Sequence, residues 1–175
     1  MKNKFGFILV RPQLGENIGA SARSIKNFGF KKLSIVAPKF NFPNHKAKTT
    51  SVGAFDVINK TKVFSSIDKA VEEFNIVISL SARKRDINKK NINFEDLYKL
   101  LNTRKNLKFG FMFGPEASGL SNYDLSFSNY ILQIPTSKKF KSLNLSHSVT
   151  IICFEIFKLV NSVFFKKKAK NLKIS

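Results

Sequence analysis

Three short stretches of this sequence concentrate the residues able to bind anions or position a reacting group. The first runs Gly15-Glu16-Asn17-Ile18-Gly19-Ala20-Ser21-Ala22-Arg23. Its glycines permit close backbone approach, and Asn17 and Arg23 sit where a helix would begin. An arginine so placed can clamp a phosphate through paired hydrogen bonds. The second, Phe113-Gly114-Pro115-Glu116-Ala117-Ser118-Gly119-Leu120-Ser121, sets a carboxylate between two glycines in a chain with only six Glu. The third is Ile134-Pro135 followed by Ser142-Leu143-Asn144-Leu145-Ser146-His147-Ser148, a cluster of hydroxyl and amide groups. Each stretch also has a plain structural reading: a helix start with a surface Arg, a Gly-Pro turn, and an N-cap at Ser142 or Asn144.

Spacing excludes several chemistries. Gly15-x-x-x-Gly19 is neither the dinucleotide G-x-G-x-x-G nor a P-loop. The sequence holds no Gly-x-Ser-x-Gly elbow and no His-Glu-x-x-His. His45 and His147 lack metal-ligand spacing and Cys153 is the only cysteine, so neither a metal site nor an intramolecular disulfide is expected. Cys153 lies in the apolar run Val149–Phe157, where a buried, inert thiol is the expectation.

Charge narrows the partners. The 31 Lys and Arg outweigh 11 Asp and Glu, a formal net charge of +20, which suits a polyanion better than a small anionic ligand. The densest basic loop is Arg83, Lys84, Arg85, Lys89 and Lys90; Lys138, Lys139 and Lys141 stand beside the third stretch. The chain is also rich in Lys, Asn, Ile and Phe, a pattern that genome-wide composition bias produces too. A membrane partner fits least. No apolar run approaches the roughly 18 residues of a span, and no helix joins a basic face to Trp or Leu anchors. The opening MKNKFGFILVRP reads as a strand rather than a signal peptide, so the expected compartment is the cytoplasm. Phe40 and Phe42 are candidates for base stacking, with core or loop packing the plainer reading.

Positioning these stretches requires strands that end where they begin. Apolar runs predict strands at Phe5–Val10, Leu33–Val36, Lys62–Phe64, Asn75–Leu80, Leu107–Phe113 and Tyr130–Ile134, with Val57-Ile58 a further short one. Helical spacing predicts helices over Gly15–Gly29, Ser66–Phe74, Phe94–Leu101 and Asn144–Phe165, with a short helical segment at Thr49–Ala54. Phe40–Lys48 reads as a loop, and Ser121 with Asp124 three residues later as a capped turn. The first three elements form a β-α-β unit. The fold class is therefore α/β, a single Rossmann-like domain over residues 1–165 with a mostly parallel sheet, followed by a basic tail, Lys166–Ser175, expected to fray. Open parallel sheets bind ligands at the carboxyl ends of their strands, where all three stretches fall.

Taken in order, Asn17-x-Gly19-x-x-x-Arg23, Phe113-Gly-Pro-Glu-x-x-Gly-Leu-Ser121 and Ile134-Pro135…Ser142-Leu-Asn-Leu-Ser146 resemble the three motifs of the SpoU (TrmH-like) class of RNA ribose 2′-O-methyltransferases. Phe7–Gly19, Ser51–Ile58 and Ser79–Arg85 look most like the TrmJ-type enzymes acting on cytidine or uridine 32 of tRNA. The resemblance implies a deep C-terminal trefoil knot, an exception to the rule of unknotted connections. It implies S-adenosylmethionine held by Leu80, Ser81, Gly114, Ile134, Ser142, Leu143 and Asn144, a tRNA partner gripped by the basic residues above, and a homodimer. Arg23 is the expected phosphate clamp, since arginine stays protonated and makes a poor base. Asn17, Glu116, Ser142 and Asn144 complete the expected catalytic set, with Glu116 supporting its loop or Asn17 rather than acting as base. TrmJ-type enzymes usually carry a C-terminal extension, whereas this chain ends soon after its last helix. The expectation is that a Lys-rich dimer surface holds the tRNA itself. Another tRNA position, such as the wobble nucleotide, or rRNA would fit the same motifs. So would a non-catalytic RNA-binding protein of this fold, though the intact Asn17, Arg23, Glu116 and Asn144 weigh against it.

Overall fold

The computed structural model describes residues 2–82 and 87–161. The elements run β1 (Phe5–Val10), α1 (Gly15–Asn27), β2 (Lys32–Val36), α2 (His45–Thr50), α3 (Phe55–Asn59), β3 (Lys62–Phe64), α4 (Ile67–Val71), β4 (Ile76–Leu80), β5 (Lys90–Ile92), α5 (Phe94–Thr103), β6 (Phe109–Phe113), α6 (Asn122–Ser126), β7 (Tyr130–Leu132) and α7 (Leu145–Val160). Among the described residues, seven strands form one sheet in the order β3-β2-β1-β6-β4-β7-β5, every pairing parallel.

The interior strands are continuous apolar runs because both faces of the sheet are covered. Phe5, Phe7, Leu9, Phe109, Phe111 and Phe113 point to one face, against Ile18, Ala22 and Ile25 of α1 and Val149, Ile152 and Ile156 of α7. Ile8, Val10, Val77 and Met112 point to the other, against Ile67 and Ala70 of α4 and Leu125 of α6. Phenylalanine is the filler of the first layer. Register places Phe5 beside Phe109 and Phe7 beside Phe111, their rings stacked with centroids 6.0 Å apart in each pair, while Phe30 meets Phe5 edge-on. Such pairs add about 0.5–1.5 kcal/mol each beyond burial. Cys153 is fully buried in this layer, and burial pushes its thiol well above the ordinary value, so it is inert.

Several elements differ from the sequence reading. The helix after Phe40 is α2, which begins at His45 inside the expected loop. Asn44 caps it, its side-chain oxygen accepting the Ala47 N–H at 2.8 Å. Val57 and Ile58 lie in the single-turn helix α3, not a strand; two adjacent apolar residues carry no period to separate the two forms. Strand β5 was unforeseen. It is exposed at Lys90 and Asn91, buries only Ile92, and among the described residues pairs solely with β7. Phe40 and Phe42 pack against the core, the plainer of their two readings. The basic residues Arg83, Lys84 and Arg85, the expected end of the last helix at Phe165, and the tail Lys166–Ser175 lie outside the described residues. No helix among the described residues is long and apolar enough to cross a membrane.

The order matters for the site. Strands β1, β6, β4 and β7 are consecutive neighbours, so the segments leaving their carboxyl ends lie side by side. These are Arg11–Leu14 after β1, the second motif after β6, Ser81-Ala82 after β4, and the third motif after β7. Among the described residues, strand β7 is the last in sequence, and it is inserted between the successive strands β4 and β5.

Candidate active site

The second motif folds back on itself. Gly119 adopts φ +67°, a conformation that favours glycine, and its N–H reaches the Pro115 carbonyl at 2.9 Å. This brings the backbone of Gly119 and Leu120 over Gly114, where a Cβ would stand 2.3 Å from the Leu120 nitrogen. Gly114→Ala is therefore expected to lower unfolding free energy by about 1–3 kcal/mol, the usual cost of forced overpacking. Urea denaturation of the two proteins measures it.

That turn carries Glu116 to the start of α1. Its carboxylate accepts the backbone N–H groups of Gln13 at 2.8 Å and Leu14 at 3.2 Å, and the Asn17 side-chain amide at 2.9 Å. Leu14, at the N-cap position, has no capping side chain of its own, so Glu116 supplies the negative charge that a helix start favours. Gln13 returns the contact, its side-chain oxygen accepting the Ala117 N–H at 2.9 Å.

Asn17, 7% exposed, passes the link onward. Its oxygen accepts the Asn144 side-chain amide at 3.0 Å. The Asn144 oxygen in turn accepts the Ser146 N–H at 2.9 Å and hydroxyl at 2.7 Å, which makes Asn144 rather than Ser142 the N-cap of α7. Thr150 bonds the Ser146 carbonyl at 2.8 Å and shares a 2.5 Å hydroxyl contact with Ser24 of α1. One polar chain thus joins the second motif, the first and the third, and locks α1 to α7.

Beside this chain opens a cleft of about 320 Å³, within the small-molecule range. Leu80, Ser81, Gly114, Ile134, Ser142 and Leu143 all line it; Asn144 does not. Asn144, an exposed residue, is bonded to Asn17 instead. Among the described residues, Glu116 and Lys141 give the cleft wall one charge of each sign. Arg23 is exposed on α1 and is not in the wall. Lys138, Lys139 and Lys141 are exposed on the third-motif loop and Lys90 on β5. Lys89 is engaged, donating to the Ser126 carbonyl at the end of α6 at 2.8 Å. No cluster of metal-ligating residues occurs among the described residues.

The glycines of the first motif do something other than approach a ligand. A Cβ on Gly19 would stand 2.5 Å from the Ala47 carbonyl oxygen and 2.8 Å from the Ser51 nitrogen, so Gly19 seats α2 against α1. The sequence reading also missed Arg11 as a structural residue. Its guanidinium pairs bidentately with Asp124 at 3.1 and 2.5 Å, tying the end of β1 to α6. Asp124 is 1% exposed and forms a capping box with Ser121. Burial raises its pKa, but the Arg11 pair and the Ser121 N–H and hydroxyl outweigh burial and hold the carboxyl below its ordinary value.

Residues 4–154 match the family model of the SpoU rRNA Methylase family. The chain belongs to this family. Among SpoU relatives, a tRNA (cytidine-2′-O-)-methyltransferase TrmJ of Methanocaldococcus jannaschii is 36% identical over 154 residues, covering 86% of this chain and 66% of that protein. The chain thus spans just under two thirds of that relative's length. The crystal structure of TrmJ from Z. mobilis ZM4 superposes with a TM-score of 0.82 at 36% identity, over 88% of this chain and 69% of that one. The SpoU methyltransferase AviRb of Streptomyces viridochromogenes, in complex with the cofactor AdoMet, shares the fold at 18% identity. Its TM-score is 0.73 over 93% of this chain and 60% of that one. The fold of this chain is accordingly the knotted α/β fold of SpoU methyltransferases.

Proposed function

We propose that this protein is an S-adenosylmethionine-dependent tRNA ribose 2′-O-methyltransferase, acting in the cytoplasm as a homodimer on cytidine or uridine 32 of the anticodon loop. The observation that carries the reading is the cleft at the carboxyl ends of β6, β4 and β7. Six of the seven residues that the family resemblance assigns to the cofactor line it. TrmJ relatives and a TrmJ structure at 36% identity support the tRNA substrate.

The residues present fit the cofactor. Leu80, Ile134 and Leu143 offer apolar surface for the adenine, and Ser81 and Ser142 offer hydroxyls for its polar groups. Gly114 lines the cleft, and its missing side chain lets the backbone of Gly119 and Leu120 fold closely over it to form that wall. When bound, S-adenosylmethionine supplies an electrophilic methyl group on its sulfonium.

The chain's own task is to bring one ribose 2′-oxygen to that methyl and to favour the charge that develops on it. Arg23 grips the phosphate beside the target ribose with its planar fork and stabilises negative charge at the 2′-oxygen. It remains protonated throughout, so the proton lost by the 2′-hydroxyl as it takes the methyl passes to solvent water rather than to Arg23. The Glu116–Asn17–Asn144 chain fixes the relative positions of the three motif loops, so that alignment is set before the substrate arrives. Ser142, on the cleft wall, orients cofactor or ribose. Lysines of the third-motif loop and β5 supply phosphate contacts whose strength falls with salt. Exposed Leu14 at the start of α1 and Phe154 on α7 offer apolar surface for self-association.

Incubating unmodified tRNA with the protein and methyl-labelled cofactor, then mapping the labelled nucleotide, tests the proposal. Label at position 32 is the expected result. Label solely at the wobble position, or solely in rRNA, would overturn the assignment.

A further inference from the structure

The loop between β7 and α7 displays an aromatic side chain that neither the cleft nor the core uses. Phe140 is 77% exposed, the highest value among the large hydrophobic residues described. Lys138, Lys139 and Lys141 surround it in sequence, all exposed, and none of them joins an ion pair among the described residues.

The loop is shaped to present this ring. The Phe140 N–H donates to the Ser137 carbonyl at 3.2 Å, and the Lys139 N–H donates to the Ser137 hydroxyl at 3.3 Å, so residues 137–140 close a turn. At the neck, the Thr136 hydroxyl reaches the Lys141 carbonyl at 3.5 Å. Both ends of the loop then enter the cleft wall, through Ile134 on one side and Lys141 and Ser142 on the other. Phe140 therefore projects into solvent a few residues from the cleft, on a support continuous with it. Phe40 and Phe42, by contrast, are packed against the core.

We propose that Phe140 is a stacking platform for an unpaired base of the RNA substrate, adjacent to the nucleotide whose ribose enters the cleft. The inference rests on the reading of this chain as an RNA methyltransferase and adds a substrate-positioning residue to it. An exposed ring set among unpaired ammonium groups matches single-stranded RNA, whose splayed bases stack on aromatic faces while its phosphates meet the cations. Duplex RNA keeps its bases stacked internally and offers the ring no face. A protein partner fits less well, because burying the ring in a dry interface would bury the flanking lysines, which interface cores deplete. The chemistry thus selects a looped or unpaired segment over a helical stem.

Three variants test this: Phe140→Ala, Phe140→Leu and Phe140→Tyr. The probe is a fluorescently labelled anticodon stem-loop RNA, with a duplex of equal length as control, followed by anisotropy. Alanine and leucine are expected to weaken stem-loop binding by roughly 5- to 150-fold, the range for losing one base–aromatic stack, while tyrosine keeps wild-type affinity. Duplex binding and calorimetric S-adenosylmethionine binding should be the same in all four proteins. Leucine equal to wild type, alanine without effect, or a change in cofactor affinity or sedimentation would each overturn the proposal. Methyl transfer by the wild-type protein is measured alongside. If transfer is absent while stem-loop binding still depends on Phe140, the enzymatic reading fails, and with it the substrate-positioning role, while the base-stacking contact stands. If transfer is present and binding is indifferent to Phe140, the reverse holds.

Discussion

Arg23→Ala is expected to lower methyl transfer to tRNA by about 10²–10³-fold, the usual cost of removing one donor aimed at developing negative charge, with S-adenosylmethionine affinity unchanged. The geometry separates the two effects. Arg23 is exposed on α1 and absent from the cleft wall, so truncating it removes no cofactor contact. Nor should it disturb the fold: alanine is the best helix former, and an exposed substitution of this kind changes stability by about 0.5 kcal/mol or less. Single-turnover rates, calorimetric cofactor binding and a thermal melt distinguish the loss of chemistry from the other two causes. Arg23→Lys adds a finer test, because lysine keeps the charge but not the planar fork. It should recover only part of the rate. A fully active alanine variant would remove Arg23 from the reaction.

Much of this arrangement was legible in the sequence, and its limits have physical causes. The buried strands announced themselves as apolar runs, β1 and β6 above all, because a parallel sheet covered on both faces needs no alternation. The spacing of Ile18, Ala22 and Ile25 marked α1, and Ser121 with Asp124 marked the capping box that the structure contains. What failed was short or non-local. Strand β5 holds Lys90, Asn91 and Ile92, which carry no pattern; it forms because β7 offers an open edge. Gly15 and Gly19 suggested ligand approach, but Gly19 is small because α2 packs on it, and nothing in the first motif foretells where α2 will lie. Glu116 and Asn17 stand 99 residues apart in sequence and Asn17 and Asn144 127. Their motifs were readable individually, while the hydrogen-bonded chain that unites them appears only once the sheet order is known. Phe140 was passed over because exposure is set by the loop's shape, which a run of lysines does not reveal.

The Arg11–Asp124 pair, 113 residues apart, yields the second large effect. Arg11→Met keeps the bulk of the side chain but leaves a carboxylate that is 1% exposed without its cation. Breaking a buried pair in this way costs about 3–5 kcal/mol. The Asp124 carboxylate retains the Ser121 N–H, and the arginine side chain is 35% exposed, where solvent weakens the attraction. The expected loss at neutral pH is therefore lower, about 2–3 kcal/mol, read by urea denaturation. Its pH dependence identifies the cause. The folded-state pKa of Asp124 is depressed, so the pair contributes stability that is fully present above the unfolded carboxylate pKa and is lost as pH falls through the folded value. Without Arg11, burial dominates and the folded pKa rises. The gap between wild type and variant should consequently be widest at neutral pH and close in acid, where Asp124 is protonated in both. A gap of constant size across that range would assign the loss to packing instead. The consequence for the site follows from the chain itself: Arg11 anchors the segment whose Gln13 and Leu14 N–H groups hold Glu116. A loosened Arg11 loosens the carboxylate on which Asn17, and through it Asn144, depends.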